Sequence, residues 1–231
     1  MNKVLGAVQP SYIPWLPFFK RILLSDYFVL LDDVEYSKNT NQNRNSIRGS
    51  NSKILLTVPI HYQNKKNINE IEIDNSKNWK KKHWNSISQN YFKTKYFKDI
   101  EYKLKNIYEK KHNKLLDINL ENIEFFLDYF EINRKIYLSS ELKIKGSSNE
   151  KLINLCKYFG VEKFILKRGT DSYHPHSLFL ENKIEVLFFD NDVKDYDQFN
   201  KKFEKNLGII DYASNCGNSL EQLKKTLLID E

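Results

Sequence analysis

The sequence predicts an α/β protein: a Rossmann-like, mostly parallel sheet with a helix-rich insertion in the middle and a short helical C-terminus. Three observations predict this class. Short, uninterrupted apolar runs, typical of strands buried on both faces, occur towards both ends of the chain. Between them, residues 76–132 repeat apolar side chains at helical spacing. The length of 231 residues suits one α/β domain, so we predict a single domain over 1–231 with 76–132 as its insertion.

The first 33 residues predict a strand, a turn, a helix and a second strand. Residues 4–8 form an apolar strand that stops at Pro10, because proline has no N–H to give to a sheet. Residues 18–24 have helical character, and the apolar run 28–31 ends at Asp32-Asp33. This order is typical of a βαβ unit with parallel strands.

The middle of the chain changes character twice. Residues 37–53 are polar and rich in asparagine, which is typical of a surface loop, and residues 54–60 and 71–73 are strand candidates. Ser76 is a candidate cap for the first of three helices. In that helix Trp79, His83, Ile87 and Tyr91 recur at every fourth position, so they share one face. Further helices are predicted near 97–108 and 115–130.

After Arg134 the alternation of strands and helices returns. Strands are predicted at 136–138, 164–166 and 184–189, with a helix that begins near 146–149 and ends at Gly160. The C-terminal segments 209–213 and 220–228 have the pattern of two short helices. The sheet therefore resumes after the helical insertion.

The composition excludes several classes of protein. Hydrophobic residues make up 40% and charged residues 29%, which is typical of a globular protein rather than a disordered one. Two cysteines, Cys156 and Cys216, cannot form a disulfide framework or a multi-cysteine zinc site, and fit a reducing compartment. No apolar stretch approaches 18 residues, and the N-terminus is too short for a secretory segment. We expect a soluble cytoplasmic protein without a membrane span.

The net charge of +7 raises the question of nucleic-acid binding. Of the 37 basic residues only five are arginine, and asparagine and isoleucine are abundant as well. This bias is typical of an AT-rich genome, so we favour codon usage over nucleic-acid binding as the origin of the charge.

The first candidate site residues follow the first two strands. Gln9, Tyr12 and Trp15 come after strand one, and Asp32 and Asp33 after strand two. Ligands of open parallel sheets bind outside the carboxyl ends of the strands, where a carboxylate can hold a hydroxyl or an amine and aromatic rings can stack on a ligand. The alternatives are that the aromatic rings only cover the sheet and that the aspartates only cap a loop.

A second candidate group lies in the Asn-rich segment. Lys38, Asn43, Arg44 and Asn45 combine amides with two cations, which suits a phosphorylated or carbohydrate ligand. A solvated loop is the alternative interpretation, which the sequence slightly favours.

Histidines provide the remaining candidates. His83 follows Lys82 on the predicted helix and is a candidate general base, with a packed histidine as the alternative. His174 and His176 lack a third ligand at metal-binding spacing, so we predict no metal site. Cys156 falls on an apolar helix face and is assigned to the core. The sequence has no GxSxG, Walker, GxGxxG or EF-hand motif, which lowers the expectation of those enzyme classes.

Several motifs occur in an order that spans nearly the whole chain. They are Gln9-Pro10-Ser11-Tyr12-Ile13-Pro14-Trp15, Leu31-Asp32-Asp33-Val34, Lys38, Gln42-Asn43-Arg44-Asn45-Ser46-Ile47, Thr57-Val58-Pro59, Lys82-His83, Tyr173, Ile210-Asp211 and Asn215-Cys216-Gly217. In these motifs the chain resembles the WbqC-like family of bacterial surface-polysaccharide loci. It departs from the family pattern at Val8, where the family usually has a histidine, and at Lys194-Asp195, where it often has His-Pro.

The resemblance implies a transferase of O-antigen or related glycan synthesis. The hypothesis is N-acyl or aminoacyl transfer to a nucleotide-linked amino sugar, with no cofactor in the protein and a carrier-protein phosphopantetheine thioester as donor. His83 and Asp33 would be catalytic, and the substrate-binding set would be Gln9, Tyr12, Trp15, Asp32, Lys38, Asn43, Arg44, Asn45, Lys82 and Tyr173. The hypothesis requires these distant segments to converge on one crevice.

Two alternatives stay open at this point. The opening strand–turn–helix–strand order is also similar to that of nucleotidylyltransferases, although their first-loop histidine pair is missing here. A non-catalytic module that binds a sugar nucleotide or a nucleic acid is the third possibility.

Overall fold

The computed structural model describes residues 3–62, 64–170, 173–199 and 202–229. The strands are β1 (Val4–Val8), β2 (Tyr27–Leu30), β3 (Arg44–Arg48), β4 (Lys53–Thr57), β5 (Ile60–His61), β6 (Glu72–Ile73), β7 (Ile136–Leu138), β8 (Lys163–Lys167) and β9 (Glu185–Phe189). The α-helices are α1 (Leu16–Leu23), α2 (Trp79–Tyr91), α3 (Phe97–Glu109), α4 (Leu115–Tyr129), α5 (Ser139–Leu142), α6 (Ser148–Phe159), α7 (His176–Glu181), α8 (Ile209–Cys216) and α9 (Leu220–Thr226). The predicted α/β class is confirmed.

The chain divides into two compact units. The sheet unit consists of Met1–Gln9, Pro17–Val34 and Arg134–Asp192. The helical unit consists of Pro10–Leu16, Glu35–Asn133 and Val193–Glu231. The helical unit thus contains the three predicted helices of the middle segment together with both C-terminal helices.

A five-stranded parallel sheet forms the centre of the sheet unit. Its order is β7-β2-β1-β8-β9, and every neighbouring pair is parallel. The chain therefore builds one half of the sheet outward from β1 and then crosses to the other side of β1 to add β8 and β9. This reversal makes the gap between β1 and β8 the topological switch point, outside which doubly wound sheets bind their ligands.

Helices cover both faces of this sheet. Leu5 and Ala7 of β1 belong to the same buried cluster as Leu155 and Cys156 of α6. Successive residues of a strand face opposite sides of the sheet, so Gly6 lies on the opposite face from Leu5 and Ala7. On that face Phe28, the partner of Gly6 on β2, packs against Phe18 of α1. The predicted core position of Cys156 is confirmed.

The close approach at Gly6 gives a first prediction. A Cβ atom at this position would lie 2.2 Å from Ser25 Oγ and 3.1 Å from Phe28 Cδ2. We expect Gly6→Ala to lower the free energy of unfolding by about 1–3 kcal/mol, because the interior is already close-packed. Urea denaturation measures the effect. Adding Ser25→Ala should restore part of the loss, whereas a Gly6→Ala protein as stable as the wild type would contradict the packing described here.

The helical unit confirms one predicted face and corrects one detail, the predicted cap of α2. Trp79, His83, Ile87 and Tyr91 are all buried on α2, as their spacing predicts. The residue that precedes this helix is Asn78 and not Ser76, and its side chain makes no capping hydrogen bond. The Ser76 hydroxyl instead donates a hydrogen bond to the Asp74 carboxylate, so it does not cap α2.

The prediction of a surface loop over 37–53 is wrong for part of that segment. Residues 44–48 form β3, which pairs antiparallel with β4. The residues of β3 alternate between half-buried and buried, as expected for a strand. The inward position at Asn45 is polar, so a search for alternating hydrophobicity misses the strand; its amide is satisfied internally by the main-chain oxygen of Ile13.

Candidate functional site

Asp32 and Asp33 follow β2 at the carboxyl edge of the parallel sheet. Asp32 is 1% exposed and accepts hydrogen bonds from Ser140 N (3.0 Å) and Ser140 Oγ (2.6 Å). The Ser139 hydroxyl lies 3.2 Å from Asp32 Oδ1 and is also within hydrogen-bond distance of Asp33 Oδ1, so the two aspartates share this donor. Ser139 and Ser140 directly follow β7, the parallel neighbour of β2. Asp32 is therefore a buried structural acceptor that fixes the loop after β2.

Asp33 is placed differently from its neighbour. Its Oδ2 accepts from the ammonium of Lys151 at 2.6 Å, and its Oδ1 accepts from the Ser139 hydroxyl. The Lys151 side chain, on α6, is 7% exposed, whereas that of Asp33 is 22% exposed. A carboxylate has about four lone-pair sites, so Asp33 keeps acceptor capacity on its open side. Its two partners fix its orientation without using that capacity.

Sequence analysis missed the partners of this aspartate pair. Ser139, Ser140 and Lys151 lie more than a hundred residues from Asp32 and Asp33. One signal was present: Ser139-Ser140 ends a predicted strand in the same way as Asp32-Asp33 does. Adjacent parallel strands end at one edge, so these polar pairs were candidates for contact.

In the helical unit, Tyr12 and His83 are in direct contact. The Tyr12 hydroxyl lies 2.8 Å from His83 Nδ1 and 2.7 Å from the Tyr108 hydroxyl, and the Trp79 ring packs edge-on against the imidazole. Burial lowers the pKa of His83 to about 4, and a main-chain hydrogen bond with Thr57 acts in the opposite sense. His83 is thus a neutral, 6% exposed ring held by hydrogen bonds.

The residues predicted around Arg44 are largely satisfied within the hairpin. The guanidinium of Arg44 donates to the side-chain and main-chain oxygens of Asn39. Asn43 donates its amide to the Val58 carbonyl at 2.9 Å. Lys38 is exposed and lies 3.6 Å above the ring of Tyr62, a cation–π contact. This arrangement leaves Lys38 and part of the Arg44 fork accessible to a ligand.

The other predicted residues belong to both units. Gln9 follows β1 and is half-buried, Trp15 forms a bridge with Gly208, and Lys82 is exposed on α2. Tyr173 is 76% exposed and belongs to the sheet unit, whereas Tyr12, Arg44 and His83 belong to the helical unit. Convergence of all these residues on one crevice stays a prediction.

The C-terminal motif residues form a buried hydrogen-bond network that sequence analysis did not assign. Asp211 is fully buried and accepts from the hydroxyls of Tyr91 (2.9 Å) and Tyr196 (2.8 Å) and from the amide of Gln198 (2.9 Å). Burial raises the pKa of Asp211, against the opposing effect of these donors and of Arg48. The network joins α2, α8 and the segment before α8.

The histidines near β8 have protein partners. His174 Nδ1 contacts Asn149 Oδ1, and the ring of His176 packs edge-on against Phe188. Among the described residues, no group of three or more histidine, cysteine or carboxylate side chains is arranged to hold a metal ion. Over the same residues, no helix is both long and apolar enough to cross a bilayer.

Comparison with known proteins identifies the family. A family model described as "WbqC-like protein family" matches residues 9–222. The chain belongs to the WbqC-like family. The matched range of the WbqC-like chain begins at Gln9 and includes Asp33, His83 and Asp211. A curated relative is "Uncharacterized protein Rv1507c" of Mycobacterium tuberculosis (strain ATCC 25618 / H37Rv), which is 31% identical over 219 residues, 93% of this chain and 94% of the relative.

Proposed function

We propose that this WbqC-like protein is a transferase of bacterial surface-glycan synthesis. The reaction is N-acyl or aminoacyl transfer to the amine of a nucleotide-linked amino sugar. One observation carries the proposal: a partly open carboxylate, Asp33, is oriented by Lys151 and Ser139 at the carboxyl edge of a parallel sheet. Such an edge is where doubly wound folds bind nucleotides, and a carboxylate is the natural partner of a sugar amine.

The chemistry is balanced with a carrier-protein thioester as donor. The free amine attacks the thioester carbonyl, a C–N bond forms and the C–S bond breaks. The proton lost by nitrogen passes to the departing thiolate, so the products are an amide and a free phosphopantetheine thiol. Asp33 binds the amine, orients its lone pair and stabilises the positive charge that develops on nitrogen before the proton leaves. The amine is the acceptor of the acyl group, and the reaction needs no cofactor bound to the protein.

His83 receives a supporting role in this proposal. Its Nδ1 is already engaged in a 2.8 Å hydrogen bond with the Tyr12 hydroxyl, and its pKa of about 4 makes it a weak base. A base role would require Tyr12 to turn away from the ring. We therefore assign contact with the amine to Asp33, and to His83 the task of positioning Tyr12.

The experiment is an assay by mass spectrometry of uridine- and thymidine-linked amino sugars with acyl carrier thioesters. We expect Asp33→Asn to reduce the rate by about a hundredfold, because the amide loses the charge that holds the amine. Asp190→Asn, an exposed carboxylate paired with Arg168 at the end of β9, is the matched control and should retain the wild-type rate. Full activity in Asp33→Asn would refute the assignment.

The strand order is compatible with two alternatives. Numbered along the chain, the parallel strands lie in the order 3-2-1-4-5, which is that of nucleotide-binding doubly wound folds. It suits a nucleotidylyltransferase or a binding module as well. Release of pyrophosphate from a nucleoside triphosphate and a sugar phosphate would support nucleotidyl transfer. Tight, salt-sensitive binding of nucleic acid without affinity for a sugar nucleotide would support a nucleic-acid module.

A further inference from the structure

Arg21 is a half-buried cation at the carboxyl edge of the sheet. It extends from α1, its Nη1 donates to the main-chain oxygen of Ala7 at 2.8 Å, and its guanidinium lies 5.1 Å from the centre of the Phe189 ring. Ala7 is near the end of β1, and Phe189 ends β9. Within the part of the chain that the structure describes, no carboxylate forms an ion pair with Arg21.

This placement is energetically costly for the protein alone. Burial lowers the pKa of Arg21 to about 10, which still leaves the guanidinium charged at neutral pH. A partly desolvated cation with one carbonyl and one aromatic ring as partners lacks the counter-charge that normally offsets such burial. Retention of such a charge points to an anion that binds from outside.

A second polar group reaches the same edge from the other face. Asn149, in the first turn of α6, donates Nδ2 to the Tyr173 carbonyl at 3.0 Å, which turns its Oδ1 towards His174 Nδ1. Nδ1 of His174 therefore carries the hydrogen, and the remaining ring nitrogen, Nε2, has no partner among the described residues. Arg21 is close enough to His174 to lower its pKa, after the larger effect of burial.

These groups lie at the topological switch point. Arg21 contacts β1 and β9, which flank β8, and His174 belongs to the segment that follows β8. Asp33 follows β2, on the other side of β1. Neighbouring strands are about 4.8 Å apart, and Arg21 lies between β1 and β9, so the two positions are separated by about 10 Å along the edge. This is the scale of the distance between the amine of a sugar and the diphosphate to which the sugar is linked.

We propose that Arg21, assisted by His174 in the orientation fixed by Asn149, binds the diphosphate of a nucleotide-linked substrate. The inference rests on the proposed function for the identity of the substrate. It assigns the diphosphate to the switch point rather than to Lys38 and Arg44 of the helical unit. The guanidinium fork matches two phosphate oxygens, which a lysine at this position would not.

The test measures binding of uridine diphosphate and inorganic pyrophosphate by calorimetry, together with the thermal shift that each ligand causes. We expect Arg21→Met to weaken binding at least about tenfold and to abolish the thermal shift. Without ligand, Arg21→Met should unfold at about the same temperature as the wild type, since an apolar side chain replaces a half-buried charge that has no carboxylate partner among the described residues. His174→Gln should weaken binding by a smaller factor.

Arg168→Gln is the matched control, because Arg168 is an exposed arginine of the same edge that is already paired with Asp190. It should bind both ligands as the wild type does. Arg44→Gln tests the rival site. Unchanged affinity in Arg21→Met, loss of affinity in Arg44→Gln alone, or no saturable binding by the wild type would overturn the inference. If Arg21→Met does not fold, the thermal shift that each ligand causes in Arg21→Lys replaces it. A shift as large as that of the wild type would overturn the inference.

Failure of this inference and failure of the proposed function are distinguishable. Diphosphate binding that depends on Arg21, in a protein that transfers no acyl group, would refute only the transferase. Acyl transfer with an unchanged KM for the nucleotide sugar in Arg21→Met would refute only the diphosphate site.

Discussion

Replacing Asp211 by alanine is expected to lower the free energy of unfolding by about 3–5 kcal/mol. The substitution removes the acceptor shared by Tyr91, Tyr196 and Gln198, all of which donate to it in the structure. Each buried donor left without an acceptor costs about 1–3 kcal/mol, and the lost volume adds a cavity. Urea denaturation followed by circular dichroism measures the change.

Two further variants test whether the lost free energy of unfolding comes from the hydrogen bonds to Asp211. Asp211→Asn should cost less than alanine, because the amide keeps one acceptor and removes a carboxylate whose pKa is raised by burial. Asp128→Ala, an exposed aspartate on α4, is the matched control and should change the free energy by less than about 0.5 kcal/mol. Equal stability of Asp211→Ala and Asp128→Ala would show that the network contributes nothing.

Acidification is expected to remove about 3 kcal/mol of stability through His83. Its pKa is about 4 in the folded protein against a usual value of 6.5, because burial disfavours the charged ring. Between these two values the unfolded chain binds more protons than the folded one. The contribution of His83 is therefore fully present above about pH 6.5 and is lost as the pH falls towards 4, at about 1.4 kcal/mol per unit.

The measurement compares wild type with His83→Gln from pH 7 to pH 4. Other groups titrate in both proteins, so the difference between the two unfolding free energies isolates this histidine. We expect that difference to shrink by about 3 kcal/mol as the pH falls. Gln89→Ala replaces an exposed side chain of the same helix that does not titrate, and should leave the slope unchanged. Parallel curves for wild type and His83→Gln would refute the assignment of a buried neutral ring.

The regular elements of the sheet unit could be predicted from local sequence. The apolar runs at the first, second, fourth and fifth parallel strands have no polar interruption, because both faces of such strands are covered. The buried face of α2 was predictable for a similar reason, because its buried residues recur at every fourth position of the sequence. By contrast β3 was missed, because Asn45, one of its two inward residues, is polar and donates to a distant main-chain oxygen.

The candidate sites depended on contacts between distant residues. The sequence alone determined the α/β class, the parallel sheet and the position of Asp32-Asp33 at a strand end, because each depends on the order and hydrophobicity of neighbouring residues. The tertiary structure decided that Asp33 faces Lys151, 118 residues away, and that Arg21 meets the ends of β1 and β9. Such pairings arise from strand order and packing, which periodicity along the chain does not specify.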